Sequence, residues 1–127
     1  MDKIHVLIID DEVEFAEALA ERLELRGYLP KTADSGRGGL EAVGVALPDV
    51  ILLDLKMPDM SGFDVLVEVK KKYPTVEVIM LTGHGASSSG IKSMERGAFD
   101  FIMKPVDLGE LMEKIKQAYR KRLANSM

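Results

Sequence analysis

Ile4-His5-Val6-Leu7-Ile8-Ile9-Asp10-Asp11-Glu12 is an apolar, β-branched run that stops abruptly on three acids. A strand with one wet face alternates apolar and polar residues. A short continuous apolar run belongs instead to a strand buried on both faces, as in a parallel sheet covered by helices. Directly after it, Phe15, Leu19 and Leu23 recur at helical spacing, with Glu14, Glu17, Glu21 and Glu24 elsewhere around the same helix. Gly27 stands where that helix should stop.

The same strand-helix unit then recurs along the chain. Leu29 to Ala33 reads as a weak outer strand, and Pro30 near its start suits an edge better than a centre. Ser35 can cap a second helix running to about Ala46, and Pro48-Asp49 leads into a second buried strand, Val50-Ile51-Leu52-Leu53-Asp54, again ending on an acid. Ser61 and Asp64 form a capping-box-like pair for a third helix through about Lys72. Val76 to Thr82 is a fourth strand, followed by a Gly- and Ser-rich loop and a short helix that ends at Gly97. Phe99 to Met103 is a fifth strand closed by Lys104-Pro105, and Leu108, Leu111, Ile115 and Ala118 stripe one face of the last helix. Five such alternations predict a doubly wound α/β sandwich.

Composition narrows the function classes. The 127 residues suit one domain, read here as spanning 1–127, with 46% hydrophobic and 30% charged residues. A formal charge of −4 gives no footprint for direct nucleic-acid binding, and the basic stretch from Lys114 to Arg122 reads as a solvated helix face. The absence of cysteine rules out disulfides, thiolate metal sites and cysteine nucleophiles. There is no signal-peptide pattern and no apolar stretch long enough to span a bilayer, so the expectation is a cytoplasmic protein with no membrane partner.

In open parallel sheets, ligands sit at the carboxyl ends of the strands near a topological switch point. Here the first strand ends in Asp10-Asp11, the third in Asp54, the fourth in Thr82 and the fifth in Lys104. Two like charges about 4 Å apart repel by about 4 kcal/mol at an effective dielectric near 20, so clustered acids call for a cation. Oxygen-only ligands with room for water suit magnesium or manganese better than zinc. A carboxylate beside such an ion can attack a phosphoryl group, while a lysine and a hydroxyl bind its remaining oxygens.

These pieces, with Asp54-Leu55-Lys56-Met57-Pro58-Asp59-Met60-Ser61-Gly62, Leu81-Thr82-Gly83 and Lys104-Pro105, closely resemble the receiver domains of two-component response regulators. The match covers nearly the whole chain, in order and at the right strand ends. The resemblance implies a flavodoxin-like (βα)5 sandwich with strand order 2-1-3-4-5. It implies Asp54 as phosphoacceptor, with Asp10, Asp11, Asp54 and the backbone carbonyl of Lys56 holding Mg2+, which Mn2+ can replace. Lys104 would bind the phosphoryl group, Thr82 would swing toward it, Phe101 would be the aromatic switch, and the bond before Pro105 would be cis. It further implies a sensor histidine kinase or phosphotransfer protein as donor, and a changed surface of the fourth helix, fifth strand and fifth helix as the output. Self-phosphorylation and slow autodephosphorylation would be its only catalysis, and phosphorylation-dependent homodimers are compatible with it.

Other features have plainer readings. Glu12 is read as solvated, and Gly36, Gly38 and Gly39 as a loop-to-helix junction, since they match no phosphate-loop pattern. His84 sits two residues after Thr82, where side chains in the family can affect water attack on the phosphoaspartate; an exposed loop histidine is at least as good a reading. His5 reads as structural or exposed, and most of the eight methionines as core filler. A phosphohydrolase of the haloacid dehalogenase type would need an Asp where Lys56 stands, and a flavodoxin would need a phosphate loop where Asp10-Asp11-Glu12 stands. Leu81 to Gly85 and Gly97 to Phe101 also resemble receivers of regulators for the alternative sigma factor, whose output is an ATPase.

Overall fold

The computed structural model describes residues 3–83 and 86–125. Strands β1 (His5–Ile9), β2 (Leu29–Ala33), β3 (Val50–Asp54), β4 (Glu77–Thr82) and β5 (Asp100–Met103) alternate with helices α1 (Val13–Leu25), α2 (Gly36–Val45), α3 (Gly62–Lys72), α4 (Ala86–Glu95) and α5 (Leu108–Asn125). The five strands form one parallel sheet in the order β2-β1-β3-β4-β5. This is the doubly wound, flavodoxin-like sandwich that the strand runs and the family resemblance predict.

Burial follows the sequence pattern. Every residue of β3 and β4 is buried, as continuous apolar runs require, whereas β2 is largely exposed at the sheet edge. Pro30 lies opposite Val6 in that edge strand, where a missing N–H costs no ladder bond on the open side. Side chains alternate across the sheet to build two core layers. Ile8, Leu52, Ile79 and Leu81 pack with Leu19 and Leu23 of α1 and Leu111 and Ile115 of α5. Ile9, Ile51, Leu53 and Met80 pack with Val43 of α2 and Leu66 and Val69 of α3.

The helix ends are set locally. Gly27 and Gly97 both have positive φ, +90° and +100°, and stop α1 and α4 where an L side chain would be strained. Ser35 caps α2 through the Gly38 N–H at 2.9 Å. Ser61 caps α3 through the Phe63 N–H at 3.1 Å, one residue short of the reciprocal pair with Asp64 read from the sequence. Met80 is fully buried, and Met57, Met60 and Met112 pack against the core, but Met94 and Met103 are exposed.

The base of the sheet is cross-tied to α5. Arg122 bonds Asp49 Oδ1 at 3.0 Å and Thr75 Oγ1 at 2.7 Å, while the other Asp49 oxygen accepts the His5 N–H at 2.9 Å. The buried Glu77 carboxylate faces Lys70 at 3.4 Å and Lys121 at 3.9 Å. The basic stretch on α5 is therefore partly structural rather than wholly solvated.

Leu52 is fully buried in the centre of the sheet. Leu52→Ala should lower unfolding free energy by about 2–5 kcal/mol in urea titrations, through lost burial and the cavity left behind.

Candidate functional site

The strand order makes β1 and β3 neighbours although the chain leaves β1 for β2, so a crevice opens between their carboxyl ends. Three acids meet there. Carboxylate oxygens of Asp10, Asp11 and Asp54 all lie within 4.8 Å of one another. Asp10 is fully buried, Asp54 is 7% exposed and Asp11 is exposed. Asp11, Asp54, Leu55, Lys56, Gly83 and Lys104 line a cleft of about 310 Å³ over the acids.

Lys104 enters from the end of β5 and supplies the positive charge. Its Nζ is 2.8 Å from Asp10 Oδ2, 2.9 Å from Glu12 Oε1 and 3.4 Å from Asp54 Oδ1. It also lies 4.5 Å from the centre of the Phe15 ring, which attracts a cation through its electron-rich face. Burial disfavours the Lys104 ammonium, but hydrogen bonds to Asp10 and Glu12 and the charges of Asp10 and Asp54 outweigh it and raise the pKa above the usual lysine value. Asp54 is moved the other way in charge: burial first, then the neighbouring Asp10 carboxylate, lift it from 3.8 to about 6, and Lys104 at 3.4 Å offsets only part of this.

The two well-buried acids are held differently. Both oxygens of Asp10 are engaged, Oδ1 by the Glu12 N–H at 2.9 Å and Oδ2 by Lys104. Asp54 has the longer and weaker contact and faces the cleft. Gly62 is required at the start of α3, because a Cβ there would overlap the Asp54 carbonyl oxygen and the Leu55 backbone. All donors are oxygen and the cleft is open above them, so the cluster can hold a hard metal ion.

The other residues singled out in the sequence lie around this centre. Thr82 ends β4, fully buried, and its Oγ1 has no hydrogen-bond partner among the described residues. Phe101 does not reach the cleft; it is paired with Met80 across the sheet and its ring lies against Gly90 of α4, where a Cβ would collide with it. The Lys104-Pro105 bond is cis. His84 lies outside the described residues.

Glu12 corrects the reading of a merely solvated acid: its side chain is 65% exposed, yet it shares the Lys104 ammonium with Asp10. Its place directly behind Asp10-Asp11 was the available signal. Phe15 was missed as a neighbour of Lys104, because its spacing marks it simply as a core position of α1.

Fold and cleft together define a doubly wound α/β domain with an acid pocket at its switch point. The model of the response regulator receiver domain matches residues 6–116, and the chain belongs to that family. It is 40% identical over 119 residues to the transcriptional regulatory protein KdpE of Mycobacterium tuberculosis, covering 94% of this chain and 52% of that protein. It is 33% identical to the DNA-binding transcriptional regulator NtrC of Proteus hauseri over 93% of this chain and 25% of that protein. The chain thus spans about half the length of the first relative and a quarter of the second. A receiver domain from Clostridium thermocellum superposes with a TM-score of 0.89 at 39% identity, covering 95% of this chain and 98% of that one. No helix among the described residues is long and apolar enough to cross a membrane.

The raised Asp54 pKa gives a signed pH dependence. A carboxyl whose folded pKa lies above its unfolded value favours folding while protonated, and that contribution is lost as pH rises through about 6. Asp54→Asn should therefore exceed the wild type in stability at pH 7.5, by on the order of 1–3 kcal/mol. The gap should close as pH falls from 6 toward 4 in urea titrations; a gap independent of pH would contradict the assigned electrostatics.

Proposed function

We propose that this receiver accepts a phosphoryl group on Asp54 and uses it to switch its surface. The observation that carries the reading is the convergence of Asp10, Asp11 and Asp54 around a cleft whose wall includes Lys56 and Lys104. Asp54 is the best nucleophile of the three on geometry. Asp10 is sealed and doubly bonded, whereas Asp54 presents an oxygen to the cleft with one long contact among the described residues. At neutral pH most Asp54 carboxyls are ionised, because their pKa stays below 7.

Asp10, Asp11, Asp54 and the Lys56 carbonyl would hold Mg2+, with Mn2+ an adequate substitute. When bound, the ion offsets the negative charge of the phosphoryl oxygens. Asp54 attacks phosphorus, the P–N bond to the donor histidine breaks, and the imidazole leaves with its electron pair. Lys104 moves from Asp10 and Glu12 to a phosphoryl oxygen, keeping its charge throughout. Thr82 turns its hydroxyl toward another oxygen. Its burial, with no hydrogen-bond partner among the described residues, supports this role, since an unmade hydrogen bond costs about 1–3 kcal/mol and a new acceptor relieves it. Water attack on the same phosphorus returns Asp54 and inorganic phosphate, slowly.

The donor would be a sensor histidine kinase or a phosphotransfer protein. Movement of Thr82 frees room on the face where Phe101 packs on α4, and the α4-β5-α5 surface then changes its preference for an output domain, a partner protein or a second copy. Phosphorylation need only bind one conformation better than the other to shift the population. The relatives' names support transcriptional control as the output. The domain reading remains one receiver over 1–127, with no direct nucleic-acid contact of its own and a cytoplasmic place of work.

Incubation with Mg2+ and phosphoramidate should add one phosphoryl group by intact mass. The adduct should need Mg2+ and be absent in Asp54→Asn; an adduct surviving in that variant would refute the assignment. Lys104→Gln should slow its formation by about a hundredfold, the usual loss for one charge-stabilising donor.

A further inference from the structure

The segment from Leu55 to Ser61, between β3 and α3, carries Lys56 and is tied down at several places. Its root is closed by the Gly62 N–H donating to Leu55 O at 2.8 Å and the Leu55 N–H donating to Leu81 O at 3.2 Å. Met57 and Met60 turn inward against the core layer under α2 and α3. The far side is held by Asp59, which reaches across to the start of α2. Asp59 Oδ1 accepts the Gly36 N–H at 3.0 Å and Oδ2 accepts the Arg37 N–H at 2.9 Å.

Those two N–H groups belong to the first turn of α2 and have no partner within the helix. Ser35 takes a third, that of Gly38. Beside the clamp, Gly36 leaves a notch that the Met60 side chain fills, and a Cβ at Gly36 would overlap Met60. Asp59 itself neither lines the acid cleft nor belongs to the three clustered acids. Its connection to the site runs through the loop backbone, three residues back to Lys56.

We propose that Asp59 is a positioning residue for the phosphoryl-transfer site: by clamping the loop to α2 it holds the Lys56 carbonyl where a cation on Asp10, Asp11 and Asp54 can use it. The inference rests on the functional reading above. A carbonyl on an untethered loop must be ordered when the ion binds, and that ordering entropy is subtracted from affinity. With the loop fixed beforehand the loss falls on folding instead. Both Asp59 oxygens are in use, so asparagine can satisfy one N–H but turns an NH2 group toward the other. The Arg37 N–H, and then the Gly36 N–H, hold the Asp59 carboxyl below its ordinary pKa, so the clamp stays ionised while Asp54 titrates.

The test is a calorimetric Mg2+ titration of the full chain, beside the Mg2+ dependence of phosphorylation by phosphoramidate and the thermal midpoint without Mg2+. Asp59→Ala should raise the Mg2+ Kd by about tenfold, the usual effect of removing a group that orients a ligand, with Asp59→Asn intermediate. The phosphorylation rate should recover fully at saturating Mg2+, which separates positioning from chemistry. Gly36→Ala attacks the same clamp by expelling Met60, and should weaken Mg2+ in the same direction even if Asp59→Ala fails to fold. A wild-type Mg2+ Kd in folded Asp59→Asn and Gly36→Ala, with only the thermal midpoint lowered, would overturn the proposal and leave Asp59 as a helix cap. A wild type that neither binds Mg2+ nor takes the phosphoryl group would instead sink the functional reading, and the positioning role with it.

Discussion

The ammonium of Lys104 is the interaction on which the upper edge of this sheet depends. Asp10 and Asp54 are buried at adjacent strand ends, and their mutual repulsion works against the very packing that brings β1 and β3 together. Lys104, arriving from β5 on the far side of β4, lies between them and also draws in Glu12. It does not neutralise the site fully, since Asp10, Glu12 and Asp54 share its single charge. The cleft is left net negative and underpaired, a state that favours a divalent cation.

The fold was largely legible because its signals are local. Continuous apolar runs identify β1, β3 and β4, Gly27 and Gly97 mark helix ends, Ser35 marks a start, and Pro30 marks an edge. The strand-end residues were legible too, since the carboxyl end of a parallel strand is fixed once the strand is recognised. What escaped were contacts between segments far apart in sequence. Glu12 and Lys104 are separated by most of the chain, and Asp59 reaches α2 from the other side of β3. Neither pairing leaves a periodicity or spacing that a single sequence displays. The Arg122 contacts with Asp49 and Thr75 are of the same kind: a basic stretch looks solvated until the helix is laid against the sheet.

The glycines show how much of the site is set by close approach. Gly62 lets α3 start directly beneath Asp54, Gly36 admits Met60, and Gly90 admits the Phe101 ring. Each places a neighbouring backbone or side chain where a methyl group would stand. Stability at these points comes from fit rather than from added area, so small substitutions there act on the site's geometry as well as on the core.

The ties at the base of the sheet give the molecule unequal ends. Arg122 and Lys121 fasten the last turns of α5 to Asp49, Thr75 and Glu77, at the end of the strands opposite the acids. These two residues fall beyond the stretch 6–116 shared with the family model. With those turns moored, a displacement of the first turns of α5 would act as a tilt about the mooring more than as a slide along the sheet. A small displacement at the crest would then be read as a change of angle.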